Sequence, residues 1–203
     1  MLYVNTKTQN ENPQVTHAKV YENGDKYEGV IEKGVRHGPG QYTSSNGSVY
    51  HGEYRNGKKH GKGIYKFATG AKIDGVFEDG VLITGTYTFA NGDIYKGEFN
   101  SNKFEGKGTF HNSNGDCFEG MWKAGKKNGH GTLQLKSGDK YDGEWENDMM
   151  HGQGIYLFAN GDKYSGSFVT GNIEGHGEYT FTKPGKKPLI GSFSKGKYVA
   201  HKK

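Results

Sequence analysis

The chain has 203 residues, of which only 31% are hydrophobic, and its mean hydropathy is −0.91; ordinary globular domains carry about 45–50% apolar residues with Gly counted. Disorder would explain that thinness, but 14 Tyr, 11 Phe and 2 Trp contradict it, because disordered chains are poor in aromatics. A net charge of +5 permits weak attraction to anionic surfaces and little more, and only 4 Pro against 35 Gly excludes collagen-like and polyproline readings.

Residues 1–17 are polar, fit no pattern and read as a loose tail. They lack a basic stretch followed by an apolar one, so no signal peptide is expected. From residue 18 to 203 a single periodic array is expected, opening with a partial unit at 18–26. An aromatic or apolar residue followed two positions later by Gly then recurs at Tyr27, Tyr50, Ile73, Tyr95, Phe118, Tyr141 and Tyr164. The spacing is 23 residues except for one interval of 22, between Ile73 and Tyr95. A further partial unit restarts at Leu189 after the insertion "KPGKKP".

Within a unit, Tyr50, Gly52 and Tyr54 alternate at period two, and so do Tyr65 and Phe67. Each unit therefore contains two short strands. The stretch "RNGKKHGKG" reads as the connection between them, and "ATGA", "ANGD" or "KSGD" as the turn to the next unit. Gly is too frequent for helix interiors. The expected fold is all-β: an elongated, single-layer antiparallel sheet of tandem 23-residue hairpins, about 14 strands, twisted with a concave groove. Gly within a strand costs about 0.5–1 kcal/mol relative to Ala, so its presence in every unit calls for a reason. Aromatic rings laid flat over bare backbone supply one, replacing the absent second layer.

The pattern "YxGxWxxGxxHGxG" at this period resembles the MORN repeat, the membrane occupation and recognition nexus module, over about nine-tenths of the chain. The resemblance implies a stand-alone adaptor or scaffold that grips a partner's helix or extended segment along its concave face. It also implies a cytoplasmic setting associated with the cytoskeleton or a membrane. The third unit departs from the pattern: Ile73 leads it, it is one residue short and it lacks His-Gly. An irregularity, such as a bend, is expected there. Asn102 and Glu105 in the fourth unit, and Asp148-Met149-Met150 in the sixth, are further departures.

Tyr50, Tyr54, Tyr95, Phe99, Trp122, Tyr141 and Trp145 are the candidate floor of a partner-binding groove. Arg36, Lys58, Lys59, Lys103, Lys126 and Lys127 fall where the hairpin connection is expected and form a candidate basic edge for anionic lipid or an acidic partner. Self-association through terminal strands is a third reading.

No metal, cofactor or catalytic residue is expected. His37, His60 and His151 recur at one place in the repeat, so neighbouring copies stand about 9–10 Å apart, too far to share one ion. Cys117 is the sole cysteine, which excludes an internal disulfide. Glu53, Glu98 and Glu144 also recur by unit, as solvated positions do. Nucleic acid is not an expected partner, given the modest charge and aromatics committed to packing.

Overall fold

The computed structural model describes residues 16–199. They form strands joined by turns, without helix, and divide into two compact units at Val81/Leu82, inside the irregular third repeat. Residues 1–15 of the expected tail lie outside the described residues. Thr16 and His17 are the first two residues of β1.

The first unit contains β1 (Thr16–Val20), β2 (Lys26–Glu32), β3 (Val35–Thr43), β4 (Val49–Arg55), β5 (Lys58–Lys66) and β6 (Lys72–Glu78). Each pairs antiparallel with the next. The second contains β7 (Val81–Thr88), β8 (Ile94–Asn100), β9 (Lys103–His111), β10 (Cys117–Lys123), β11 (Lys126–Gln134) and β12 (Lys140–Glu146). It continues through β13 (Met149–Leu157), β14 (Lys163–Val169), β15 (Asn172–Thr180), β16 (Leu189–Ser194) and β17 (Lys197–Tyr198), again all antiparallel neighbours. The partial repeats at either end supply strands of their own, so the strand number exceeds the 14 expected.

The hairpin connection is tighter than the sequence reading had it. Arg55 pairs with Lys58, leaving Asn56 (φ 51°) and Gly57 (φ 79°) as the whole turn. Two successive positive φ values make a type I′ turn, whose twist matches the strands it joins. The segment "KKHGKG" is therefore strand, and it carries an irregularity. Gly52 pairs with Gly63 but Glu53 with His60, so Gly61 and Lys62 are extra residues on β5. His37, His60 and His151 are accordingly strand residues of β3, β5 and β13 rather than turn residues.

At the bulge the leading tyrosine serves a backbone carbonyl of the first strand. The Tyr50 hydroxyl donates to the Glu53 carbonyl at 3.2 Å, and Tyr27, Tyr95, Tyr141 and Tyr164 likewise reach the carbonyl three residues on. To reach it the ring must lie flat across its own strand and the next. A Cβ on Gly63 would stand 2.6 Å from Cζ of Tyr50, which is why the ring needs glycine beneath it. These glycines pair with one another from strand to strand, as Gly40 with Gly52 and Gly52 with Gly63. The flat-ring expectation holds, with the hydroxyl as its anchor.

Above this row the aromatic two positions past the glycine stands edge-on to the flat rings. In the first unit Tyr54 meets Tyr27 and Tyr50, and Phe77 meets Tyr50, at near-perpendicular angles with centroids 5.3–5.4 Å apart. In the second, Trp122 meets Tyr95 and Phe118, and Trp145 meets Phe118 and Tyr141. Such edge-to-face pairs add about 0.5–1.5 kcal/mol each beyond area burial. The Trp122 and Trp145 indoles also donate to the Gly108 and Gly131 carbonyls, at 3.1 and 3.0 Å. This interlocked layer of rings is the core.

Candidate functional site

The seven residues expected to floor a groove are all in that layer. Tyr50, Tyr54, Tyr95, Phe99, Trp122, Tyr141 and Trp145 are each at most 7% exposed. Neighbouring rings cover their faces, so they offer a partner little surface. What lies open is the other aromatic set, on the second strand of most hairpins or just past its end. Tyr65 stands directly opposite Tyr50, on the same face, and stays half-buried, as do Phe67, Tyr87, Phe89, Phe110, Tyr156, Phe158 and Tyr179. They pair in sequence, Tyr65 with Phe67 at 4.5 Å and Tyr156 with Phe158 at 4.6 Å. The alternation that revealed the strands marked these residues too. It could not say which ring of an opposed pair lies down and which stands up.

A second column faces the same way. It takes the second residue of each hairpin's return strand: Arg36, Lys59, Leu82, Phe104, Lys127, Met150 and Ile173. The expected basic edge is thereby split. Lys58, Lys103 and Lys126 are exposed, but Arg36, Lys59 and Lys127 are half-buried against rings, because strand alternation turns adjacent residues to opposite faces. The Lys59 ammonium sits 4.1 Å from the Tyr65 centroid and 5.0 Å from that of Tyr50. The Arg36 guanidinium lies 4.9 Å over Tyr42 and 5.0 Å over Tyr54. Lys127 lies 4.9 Å from Trp145 and 5.0 Å from Phe118. Each such contact contributes about 0.5–2 kcal/mol, depending on desolvation.

Clefts open between consecutive hairpins on this face. In the first unit a cleft of about 350 Å³ is walled by Arg36, Tyr42, Tyr50, Tyr54, Lys59 and Tyr65. In the second, one of about 370 Å³ at the corresponding place is walled chiefly by Phe104, Phe110, Trp122, Lys127, Leu133 and Leu135, with Asp116 beside them. Burial lowers the pKa of both lysines, but their electrostatic surroundings differ. Arg36 pushes Lys59 further down, whereas Asp148 and Asp116 pull Lys127 back up.

The turn carboxylates bind backbone. Asp25 accepts from the Ser45 amide at 2.7 Å, Asp93 from Ser113, Asp116 from Lys136, Asp139 from Ala159 and Asp162 from Thr182, each 20 residues on. Ser48 does the same for Ala68 through its hydroxyl. Ala71, at this position, has no oxygen to offer. Hydrogen bonds hold Asp25, Asp93, Asp116 and Asp162 below the usual carboxylate range, led by Tyr42 for Asp25 and by the backbone amide for the others. Glu98 and Glu144 also take backbone amides, of Lys107 and Gln153 in the bulge. These recurring carboxylates hold the backbone, and Glu53, Glu98 and Glu144 are exposed, as expected of solvated positions. Cys117 stands opposite His111, and its thiol is raised by burial. Among the described residues no three of His, Cys, Asp and Glu gather into a metal-sized cluster.

The MORN repeat model matches residues 27–49, 50–72, 84–94, 95–117, 118–140, 141–163 and 164–183. This chain belongs to the MORN repeat family. The match omits residues 73–83, the first half of the third MORN repeat, where Ile73 replaces the flat tyrosine. No curated protein matches the array. Among solved structures the array is similar to the Drosophila melanogaster SAS-4 TCP domain in complex with a proline-rich motif of Ana2, at 8% identity and TM-score 0.47, covering 93% of this chain and 97% of that one. It is similar also to the Danio rerio CPAP TCP10 domain in complex with a STIL peptide, at 14% identity and TM-score 0.34, covering 93% of this chain and 100% of that one.

Proposed function

We propose that this MORN array is a non-catalytic adaptor that holds a segment of a partner protein against its aromatic face. The observation that carries this reading is the row of half-buried rings, on or just past the second strands, above a sealed layer of rings. The lower layer consumes its own surface in packing and fixes the upper one in place, so the upper rings meet a partner without reordering. Recurring carboxylates occupied by backbone, and a single raised thiol, support binding over chemistry. Affinity would come from burying apolar ring surface, with helices and extended segments both able to present apolar residues at suitable spacing.

The test uses half-buried side chains of this face and leaves the core rings alone. Replacing Tyr65, Phe110, Leu133 and Tyr156 with Ser or Thr in the whole chain should abolish capture of partners identified by affinity purification and mass spectrometry. A folded variant that captures them undiminished would remove this face from consideration.

Binding to an anionic membrane is a second reading, supported by the exposure of Lys58, Lys103 and Lys126. Those three are half of the six cations on the expected basic edge. Sedimentation with anionic vesicles that falls steeply with salt and with neutralisation of these three lysines would favour it. Self-association through β1 or β17 would appear as a mass that rises with concentration in light scattering.

A further inference from the structure

The cleft of the first unit differs from that of the second in its uncompensated charge. Arg36 and Lys59 both point into it, Lys58 borders it, and none of its lining residues is a carboxylate. Arg36 spends one Nη2 donor on the Gly57 carbonyl, at 2.8 Å. Lys59 has no ion-pair partner among the described residues. Asp25, which accepts from the lining Tyr42, is taken up by that hydroxyl, Asn23 and the Ser45 amide. The second unit's cleft, by contrast, includes Asp116 beside Lys127.

A second observation lies in the same wall. The Tyr54 hydroxyl is buried without a hydrogen-bond partner. Elsewhere this position holds Ile31, Phe77, Phe99, Phe168 or Phe193, which bring no polar atom, or Trp122 and Trp145, which satisfy theirs on glycine carbonyls. A buried hydroxyl without a partner costs about 1–3 kcal/mol, and this one lies on the ring directly beneath the Arg36 guanidinium that faces the cleft.

Resting on the aromatic face as the partner surface, we infer that this cleft takes an Asp or Glu side chain of the partner segment, with an apolar residue beside it seated on Tyr65. The two cations lie at the level of the rings, held over Tyr42, Tyr54 and Tyr65. An anion must therefore descend among apolar walls to reach them, which a carboxylate on a short stem beside an apolar neighbour does. A multiply charged lipid headgroup suits cations projecting clear of the surface. The free part of the Arg36 fork and the Lys59 ammonium together give charge-assisted donors to both carboxylate oxygens.

The probe is a displayed library of short random peptides, panned on the whole folded chain and on the Arg36→Gln/Lys59→Met double variant. Circular dichroism and melting must first show that the variant is folded; Lys59→Met keeps the stem over its rings. The wild-type pool should enrich Asp or Glu next to an aromatic or aliphatic residue. Changing that acid to its amide should weaken the selected peptide about tenfold or more on the wild type, and less than about twofold on the double variant. Peptides that bind, are lost on Tyr65→Ser, and show no acid dependence would overturn the carboxylate while leaving the face. Peptides indifferent to both the cations and Tyr65 would overturn the face and the carboxylate together. Vesicles of phosphatidylcholine with phosphatidylinositol bisphosphate, bound through Arg36 and Lys59 while peptides show no acid dependence, would assign the cleft to a headgroup and also overturn it.

Discussion

In the first unit the column above the buried rings carries Arg36 and Lys59; in the second it carries Leu82, Phe104, Lys127, Met150 and Ile173. Beneath that column both units use the same construction: glycine paired with glycine, a flat ring across the pair, and a hydroxyl on the bulge carbonyl. One set of positions specifies the backbone and tolerates little change. Another, on the same face, is free to carry cation, thioether or ring, and recognition chemistry varies there.

That division can be broken at the glycines. Gly63 and Gly154 have ordinary strand φ, so only space forbids a side chain, and a Cβ at either would stand 2.5–2.7 Å from carbons of the Tyr50 or Tyr141 ring. Gly63→Ala and Gly154→Ala should each destabilise by about 2–3 kcal/mol in urea titration. If only one of the two is costly, the units do not share their construction.

The hydroxyl anchor comes next. Tyr141→Phe should lose about 1–2 kcal/mol, because the Glu144 carbonyl loses its donor. Phe118 is the natural counter-example, a flat ring without a hydroxyl. Phe118→Tyr should place a donor at the Met121 carbonyl and gain about 1 kcal/mol. Tyr54→Phe should gain a similar amount, about 1 kcal/mol in thermal melts, by removing the unpaired hydroxyl.

The smallest effect separates the units by acid. Carboxylates whose folded pKa is depressed stabilise above the unfolded value, near 3.9, and lose that contribution as pH falls through the folded one. Asp25 is the only such turn carboxylate among the described residues of the first unit, where Ser48 uses a hydroxyl instead. The second has Asp93, Asp116 and Asp162, with Glu174 lowered as well. Hydrogen exchange below pH 4 should therefore lose protection in residues 82–199 before residues 16–81. Simultaneous loss in both would show that the carboxylate bonds are not what acid breaks.

Much of this was readable from sequence. The repeat, its strands and the rings on glycine follow from Tyr50, Gly52 and Tyr54 at period two. The placement of Lys58 and Lys59 was not, because neighbours on a strand take opposite faces and the choice depends on where the turn ends. Asn56-Gly57 contains that information, since Asn-Gly is a strong two-residue hairpin signal. Reading the longer glycine-rich stretch as a connection concealed it. The core role of Trp122 and Trp145 was hidden for another reason: their burial depends on rings from neighbouring hairpins, which alternation within one unit cannot reveal.

The turn carboxylates carry a last consequence. Asp93 reaches Ser113, Asp116 reaches Lys136, Asp139 reaches Ala159 and Asp162 reaches Thr182 with the same offset every time. Adding or removing a few residues inside a hairpin would put the wrong amide at each landing point downstream of the change within that pair. Excising or duplicating a full 23-residue block keeps every donor and acceptor matched. Growth and shortening of such a chain are thus physically favoured in quanta of one hairpin, and a gene that gains or loses one inherits a working joint.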